Sequence, residues 1–224
     1  MSIKNNWFAI NERVAAITDR EVTVLAVTKR HSVEEIREVI AAGARFIGEN
    51  RVDEACDKFV TQGLLDNFPN IRLHFIGHLQ RRKVKDAVKF FDCIQSVESE
   101  KLAIEIDKRC AAIDKKMDVL IEVNVSGESQ KFGVAPEDAA ALAEKIIQLE
   151  NLNLKGLMTM APFTDNEKIL RSTFSGLRIL SEKLAFDFGK NYFQTLSMGM
   201  SNDFEIAVEE GSTMIRVGTA LFAK

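Results

Sequence analysis

Short β-branched or apolar runs in this chain are followed, again and again, by longer amphipathic ones, an alternation that few folds can accommodate. It begins with Val22 to Lys29 (VTVLAVTK) and Val33 to Gly43 (VEEIREVIAAG), the strand-then-helix signature of a parallel sheet. Further strands are predicted at Phe46 to Glu49, Arg72 to Gly77, Cys93 to Val97, Val119 to Val125, Leu154 to Met160, Thr195 to Met198 and Met214 to Leu221. Between them, apolar residues at i, i+3 or i+4 spacing mark helices around 51–66, 81–91, 99–114, 136–149, 165–189 and 203–210. With a further helix near 4–18, the count predicts a closed (β/α)8 barrel of the TIM type whose eighth helix stands at the N-terminus. An open doubly wound sheet is the alternative, but closure leaves no strand edge exposed. Three prolines and no Gly/Ser-rich linker in 224 residues give no boundary, so residues 1–224 are expected to form a single domain.

Composition removes several function classes. Lys plus Arg number 30 against 33 Asp plus Glu, a net charge of −3, which creates no field to attract nucleic acid or an anionic membrane. The longest stretch free of charged residues, Asn191 to Asn202, is too short and too polar to span a bilayer. Charges run through the first twenty residues, so no export signal is expected. The three cysteines, Cys56, Cys93 and Cys110, are odd in number and lack CxxC spacing. Neither a disulfide framework nor a zinc site is expected, and the chain reads as reduced and cytoplasmic.

In such a barrel, reactive groups sit at the C-terminal ends of strands. The residues there are Lys29, Glu49 and Asn50, His78, Ser96, Asn124 and Ser126, Met160 and Pro162, Ser201, and on the eighth strand Gly218 and Thr219. The run Val22–Val27 carries Lys29 to the end of the first strand, on the same side of the pleat as Leu25 and Val27. A desolvated stem there would lower the proton affinity of the amine, as a Schiff-base lysine requires. Snorkelling into solvent is the plain alternative.

Ser201 lies just before the predicted helix at 203–210. Its hydroxyl, the first free amides of that helix, Gly218 and Thr219 could together hold a phosphate after strands seven and eight. Taken singly, Ser201 would be a helix cap and Gly218 a packing glycine. Arg216 stands mid-strand between Ile215 and Val217 and shares a face with Gly218. A buried guanidinium needs a partner: a carboxylate such as Glu49, or a cofactor ring nitrogen, which it would keep unprotonated. His74 and His78, four apart on one strand, lie too far apart to share a metal. The basic run Arg81–Lys85 reads as a solvated helix face, and Phe90, Phe91, Phe174, Phe186 and Phe188 as helix-to-barrel packing.

These segments together resemble the pyridoxal phosphate homeostasis proteins, whose fold is like the N-terminal barrel of alanine racemase. The resemblance rests on Ala26–Lys29 (AVTK), Phe46–Arg51 (FIGENR), His74–Gln80 (HFIGHLQ), Glu122–Ser126 (EVNVS), Gly156–Met160 (GLMTM), Leu196–Asp203 and Glu209–Thr219. It implies pyridoxal 5′-phosphate bound as an internal aldimine to Lys29, with the phosphate on Ser201, Gly218 and Thr219 and with Arg216 facing the pyridine nitrogen. It also implies Asn50 and His78 beside the ring, and a role in buffering the cofactor and delivering it to apo-enzymes that depend on it. The chain departs from the family pattern at Arg81–Arg82, at Gln130–Phe132 and at Ala223, none of them among these cofactor residues.

An amino acid racemase of the same barrel type is the second hypothesis. It needs an acid/base on each face of the substrate α-carbon. In alanine racemases one is a tyrosine from a further domain, whereas the single tyrosine here, Tyr192, precedes strand seven and is expected at the far end of the barrel. A Schiff-base aldolase acting on a sugar phosphate is a third, but it gives Arg216 no ring nitrogen to face. No heptad or broad exposed apolar stripe appears, so a monomer is expected.

Overall fold

The computed structural model describes residues 2–128 and 130–223. The eight predicted strands are present: β1 (Thr23–Val27), β2 (Phe46–Glu49), β3 (Arg72–Phe75), β4 (Cys93–Val97), β5 (Met117–Glu122), β6 (Leu152–Met158), β7 (Thr195–Met200) and β8 (Met214–Val217). All pair in parallel and in chain order, and β8 returns to β1 to close the barrel. A parallel strand needs a crossover before its neighbour, and the helices between strands supply it on the outside of the sheet. The predicted N-terminal helix runs from Ile3 to Ile17, starting at Ser2, whose hydroxyl accepts the Asn5 N–H. Asn6 on this helix donates to the carbonyls of Leu221 (3.0 Å) and Ala223 (2.9 Å), so the helix joins the last turn of the chain to the outer ring. No helix among the described residues is long and apolar enough to cross a membrane.

Period-2 alternation divides each strand between two environments. Val24 and Ala26 of β1, Ile47 of β2 and Ile215 and Val217 of β8 pack in the large core beneath the helices. Leu25 and Val27 point the other way and join Met214, Phe46 and Ile76 inside the barrel. A separate inner cluster, Cys93, Leu120 and Met158 with Met160, belongs to β4–β6. Between these clusters the interior is polar: His74, Gln95, Ser197, Glu122 and Arg216 are all buried.

Several expectations are corrected. The last strand stops at Val217 and gives way to the helical turn Thr219–Phe222, so Thr219 stands on a helix and not on β8. The first strand ends at Val27, two residues before Lys29, which lies in the following turn. The helix expected at 51–66 is broken into Val52–Ala55, a π-helical stretch Cys56–Thr61 and a turn Leu64–Asn67. Phe91 and Phe174 are packed as expected, but Phe186 is 90% exposed, because it falls on the solvent side of the long helix Glu167–Phe188.

Candidate functional site

The closing pair of strands sets the geometry. Leu25 lies opposite Arg216 and Ala26 opposite Val217, so the next residues, Val27 and Gly218, meet at the barrel mouth. A methyl group on Gly218 would lie 3.2 Å from the Val27 carbonyl oxygen and 3.3 Å from its Cβ. Glycine therefore lets the chain leaving β8 press against the end of β1, two residues before Lys29.

Lys29 is exposed at this mouth and makes no hydrogen bond or ion pair among the described residues. The expected desolvated stem is not found, since the strand that was to shield it ends early. Opposite the Lys29 turn, Ser201 Oγ accepts the backbone N–H groups of Gly218 (3.3 Å) and Ala220 (3.1 Å). Ser201 is not the cap of the following helix, Phe204–Glu209: Asp203 precedes that helix, and its carboxylate accepts the Met200 N–H at 2.5 Å. Ser201, Gly218 and Thr219 are thus brought together at one corner, with the Thr219 side chain exposed.

Arg216 is 4% exposed inside the barrel. Its guanidinium donates to Ser197 Oγ (2.8 Å) and to the Thr159 carbonyl (2.8 Å), tying β8 to β7 and to the end of β6. Burial lowers its pKa to about 10, while Glu122 and Asp203 nearby raise it. Glu49, considered above as its partner, is on the opposite face of the sheet. Its Oε1 accepts from Thr28 Oγ1 (2.7 Å) and Lys58 Nζ (3.1 Å), as its alternation with Gly48 requires.

A hydrogen-bonded chain supports Arg216 across the pore. Ser197 Oγ donates to Gln95 Oε1 (2.6 Å), and Gln95 Nε2 meets His74 Nδ1 (2.8 Å). His74 is kept neutral, with a pKa pushed down to about 3 by burial and then by Arg72, so Nδ1 can accept. Glu122, on the same inner face of β5, is 4% exposed and makes no side-chain hydrogen bond among the described residues. Burial raises its pKa to about 7, Glu98 adds to the rise, and Arg216 opposes it. Sequence reasoning missed Gln95, Ser197 and Glu122 as a set. The available signal was a polar residue at an inward position of an otherwise apolar strand.

Asn50 is half-buried just past β2. His78 is exposed, with Nδ1 3.1 Å from Glu98 Oε1 and its ring stacked on Phe132 at 4.2 Å. It stands on the β3–β5 side of the mouth, under the loop that follows β5.

The alanine racemase N-terminal domain family matches this sequence over residues 1–224. A protein of Aquifex aeolicus named pyridoxal phosphate homeostasis protein is 41% identical over 201 residues, 90% of this chain and 86% of that one. The chain belongs to the pyridoxal phosphate homeostasis protein family. The family extends to Bos taurus, where a protein of that name is 36% identical over 234 residues, covering 96% of this chain and 85% of the relative. PipY of Synechococcus elongatus, a structure with pyridoxal phosphate bound, superposes with a TM-score of 0.88 at 33% identity, covering 99% of this chain and all of that one. An alanine racemase of Clostridium difficile gives a TM-score of 0.80 at 16% identity, covering 98% of this chain and 60% of the racemase, a likeness of fold.

Proposed function

We propose that this chain binds pyridoxal 5′-phosphate at the C-terminal mouth of its barrel and holds it in reserve for apo-enzymes that require it. The observation carrying this reading is the pairing of β8 with β1, which brings Lys29, without a hydrogen bond or ion pair among the described residues, to the same mouth as a hydroxyl and amide corner, with a buried guanidinium below. The residues fit the group: Glu122, buried on the inner face of β5, makes no side-chain hydrogen bond among the described residues, and the buried Ser96 Oγ at the end of β4 has no partner among them either. When bound, the cofactor supplies an aldehyde carbon that a lysine amine takes up with loss of water.

Lys29 would hold that carbon. Ser201, Gly218 and Thr219 would hold the phosphate through hydroxyl and backbone N–H donors, a neutral way to seat a dianion. Arg216 would face the ring nitrogen and keep it unprotonated, which limits the ring as an electron sink and favours storage over turnover. Asn50 and His78 would border the ring. The chain acts as one domain and as a monomer, and its three free thiols suit a reduced cytoplasmic setting.

Racemization is the second reading, and the placement of Tyr192 disfavours it. That tyrosine lies in the turn Lys190–Tyr192 leading into β7, at the N-terminal end of the strands and away from Lys29.

Addition of pyridoxal 5′-phosphate to the protein is expected to produce a visible absorbance band, and Lys29→Ala is expected to lack it. A band of equal strength in Lys29→Ala would remove Lys29 from the role, and no band in the unsubstituted protein would remove the reading.

A further inference from the structure

On the outer face of β1, turned away from the pore, lies a buried ion cluster that cofactor contact does not use. Lys58 is 7% exposed and comes from the π-helical stretch Cys56–Thr61. A π turn inserted into a helix re-aims its side chains and is frequent near functional sites. Lys58 Nζ donates to Glu54 Oε1 (2.7 Å), to the Thr28 carbonyl (3.0 Å) and to Glu49 Oε1 (3.1 Å). All three ammonium protons are engaged. Glu54 Oε1 also accepts the backbone N–H of Arg30 at 2.7 Å, and Thr28 Oγ1 donates to Glu49 Oε1 at 2.7 Å.

The two residues gripped, Thr28 and Arg30, are those that flank Lys29. Arg30 has φ +68°, a left-handed conformation that a residue with a side chain holds only where its surroundings enforce it. An ammonium buried between carboxylates loses hydration, and an apolar side chain of similar volume would often serve stability as well. What the apolar side chain cannot do is grip the Thr28 carbonyl and, through Glu54, the Arg30 amide.

We propose that Lys58 is a positioning residue for Lys29: its ammonium, shared by Glu49 and Glu54, fixes the Thr28–Arg30 turn and so aims the Lys29 amine across the barrel mouth. This rests on the reading that Lys29 takes up the cofactor aldehyde. Misplacing a reacting atom by about 1 Å can cost up to about a hundredfold, so a loosened turn should weaken aldehyde capture while sparing the phosphate corner.

The test compares two ligands. Pyridoxal 5′-phosphate is titrated through its visible band, and pyridoxine 5′-phosphate, which has ring and phosphate but no aldehyde, by calorimetry. Lys58→Met is expected to bind the aldehyde about tenfold more weakly and pyridoxine 5′-phosphate unchanged. Equal weakening of both ligands, or weakening of neither, overturns the proposal. If Lys58→Met does not fold, Glu54→Gln, which keeps the side-chain shape, takes its place: loss confined to the aldehyde supports the proposal, and no selective loss overturns it. A normal band in the unsubstituted protein with unselective variants defeats this proposal alone, whereas no band at all defeats it together with the cofactor reading.

Discussion

A buried charge is stable only where its surroundings replace water, and the interior of this barrel does so residue by residue. Arg216 satisfies two donors on Ser197 and Thr159, and the chain runs on through Gln95 to His74. Glu122 is the exception: burial raises its pKa to about 7, so it holds a proton through the mildly acidic range and is about half protonated at neutrality. Because its folded pKa lies above the unfolded value of 4.5, the proton it retains adds stability that is fully present below about pH 4.5 and is lost as pH rises through about 7. At roughly 1.4 kcal/mol per unit, that loss is on the order of 3 kcal/mol. His74 acts in the opposite sense: its depressed pKa adds stability above its ordinary value of 6.5 that is lost as pH falls. Comparing a Glu122 variant with the parent at each pH cancels that shared contribution. Glu122→Gln, neutral at every pH, is therefore predicted to gain stability over the parent between pH 5 and pH 8, measured by urea unfolding at both. Parallel pH profiles for the two proteins would contradict the assignment.

At the scale of elements, the tightest constraint is where β6 meets β7. Gly156 pairs with Thr195 at φ +155°, and a methyl group there would sit 1.8 Å from the Thr195 carbonyl oxygen. Backbone cannot yield as a flexible side chain does. Gly156→Ala is predicted to destabilise by more than about 3 kcal/mol, seen as a large drop in urea midpoint or loss of soluble protein; a shift under about 1 kcal/mol would show that the strands can part. Much of this architecture was legible in the sequence. The strand starts at Phe46, Arg72, Cys93, Thr195 and Met214 are found as read, because each follows a turn or helix end and opens an apolar run. Strand ends were harder to place, since the residues past Val27 and Val217 keep a strand-like composition while the backbone already turns. The candidate corner of Lys29, Ser201 and Gly218 was readable because strand-end position is set by chain order. The clamp of Glu49, Glu54 and Lys58 was not: it depends on a π turn, which shifts the helical phase and leaves no mark in a 3.6-residue periodicity. The inner bonds of Arg216 depend on the register and curvature of β6–β8, which bring together residues 57 and 19 positions apart.

For the whole molecule, the N-terminal helix completes the outer ring, and the closed barrel gathers groups from both ends of the sequence at one mouth. That arrangement puts the exposed Lys29 and the Ser201–Gly218 corner at one end of the barrel, while Tyr192 lies at the other, and on this separation the preference for storage over racemization rests. Incubation of the loaded protein with single-enantiomer alanine is predicted to leave its optical rotation unchanged over hours; rapid loss of rotation that depends on Lys29 would overturn the preference. A related outcome concerns the proposed partner of the ring nitrogen: Arg216→Glu, by allowing that nitrogen to hold a proton, is predicted to raise any slow amino acid reactivity, and an unchanged or lower rate would count against the proposed role of Arg216. Whether the Lys29 amine, in the turn after β1, captures the cofactor is read by borohydride reduction of the protein mixed with pyridoxal 5′-phosphate, followed by peptide mass mapping. A single reduced pyridoxyl adduct on Lys29 is the predicted result, and label spread over surface lysines, or concentrated on any lysine but that one, would contradict it.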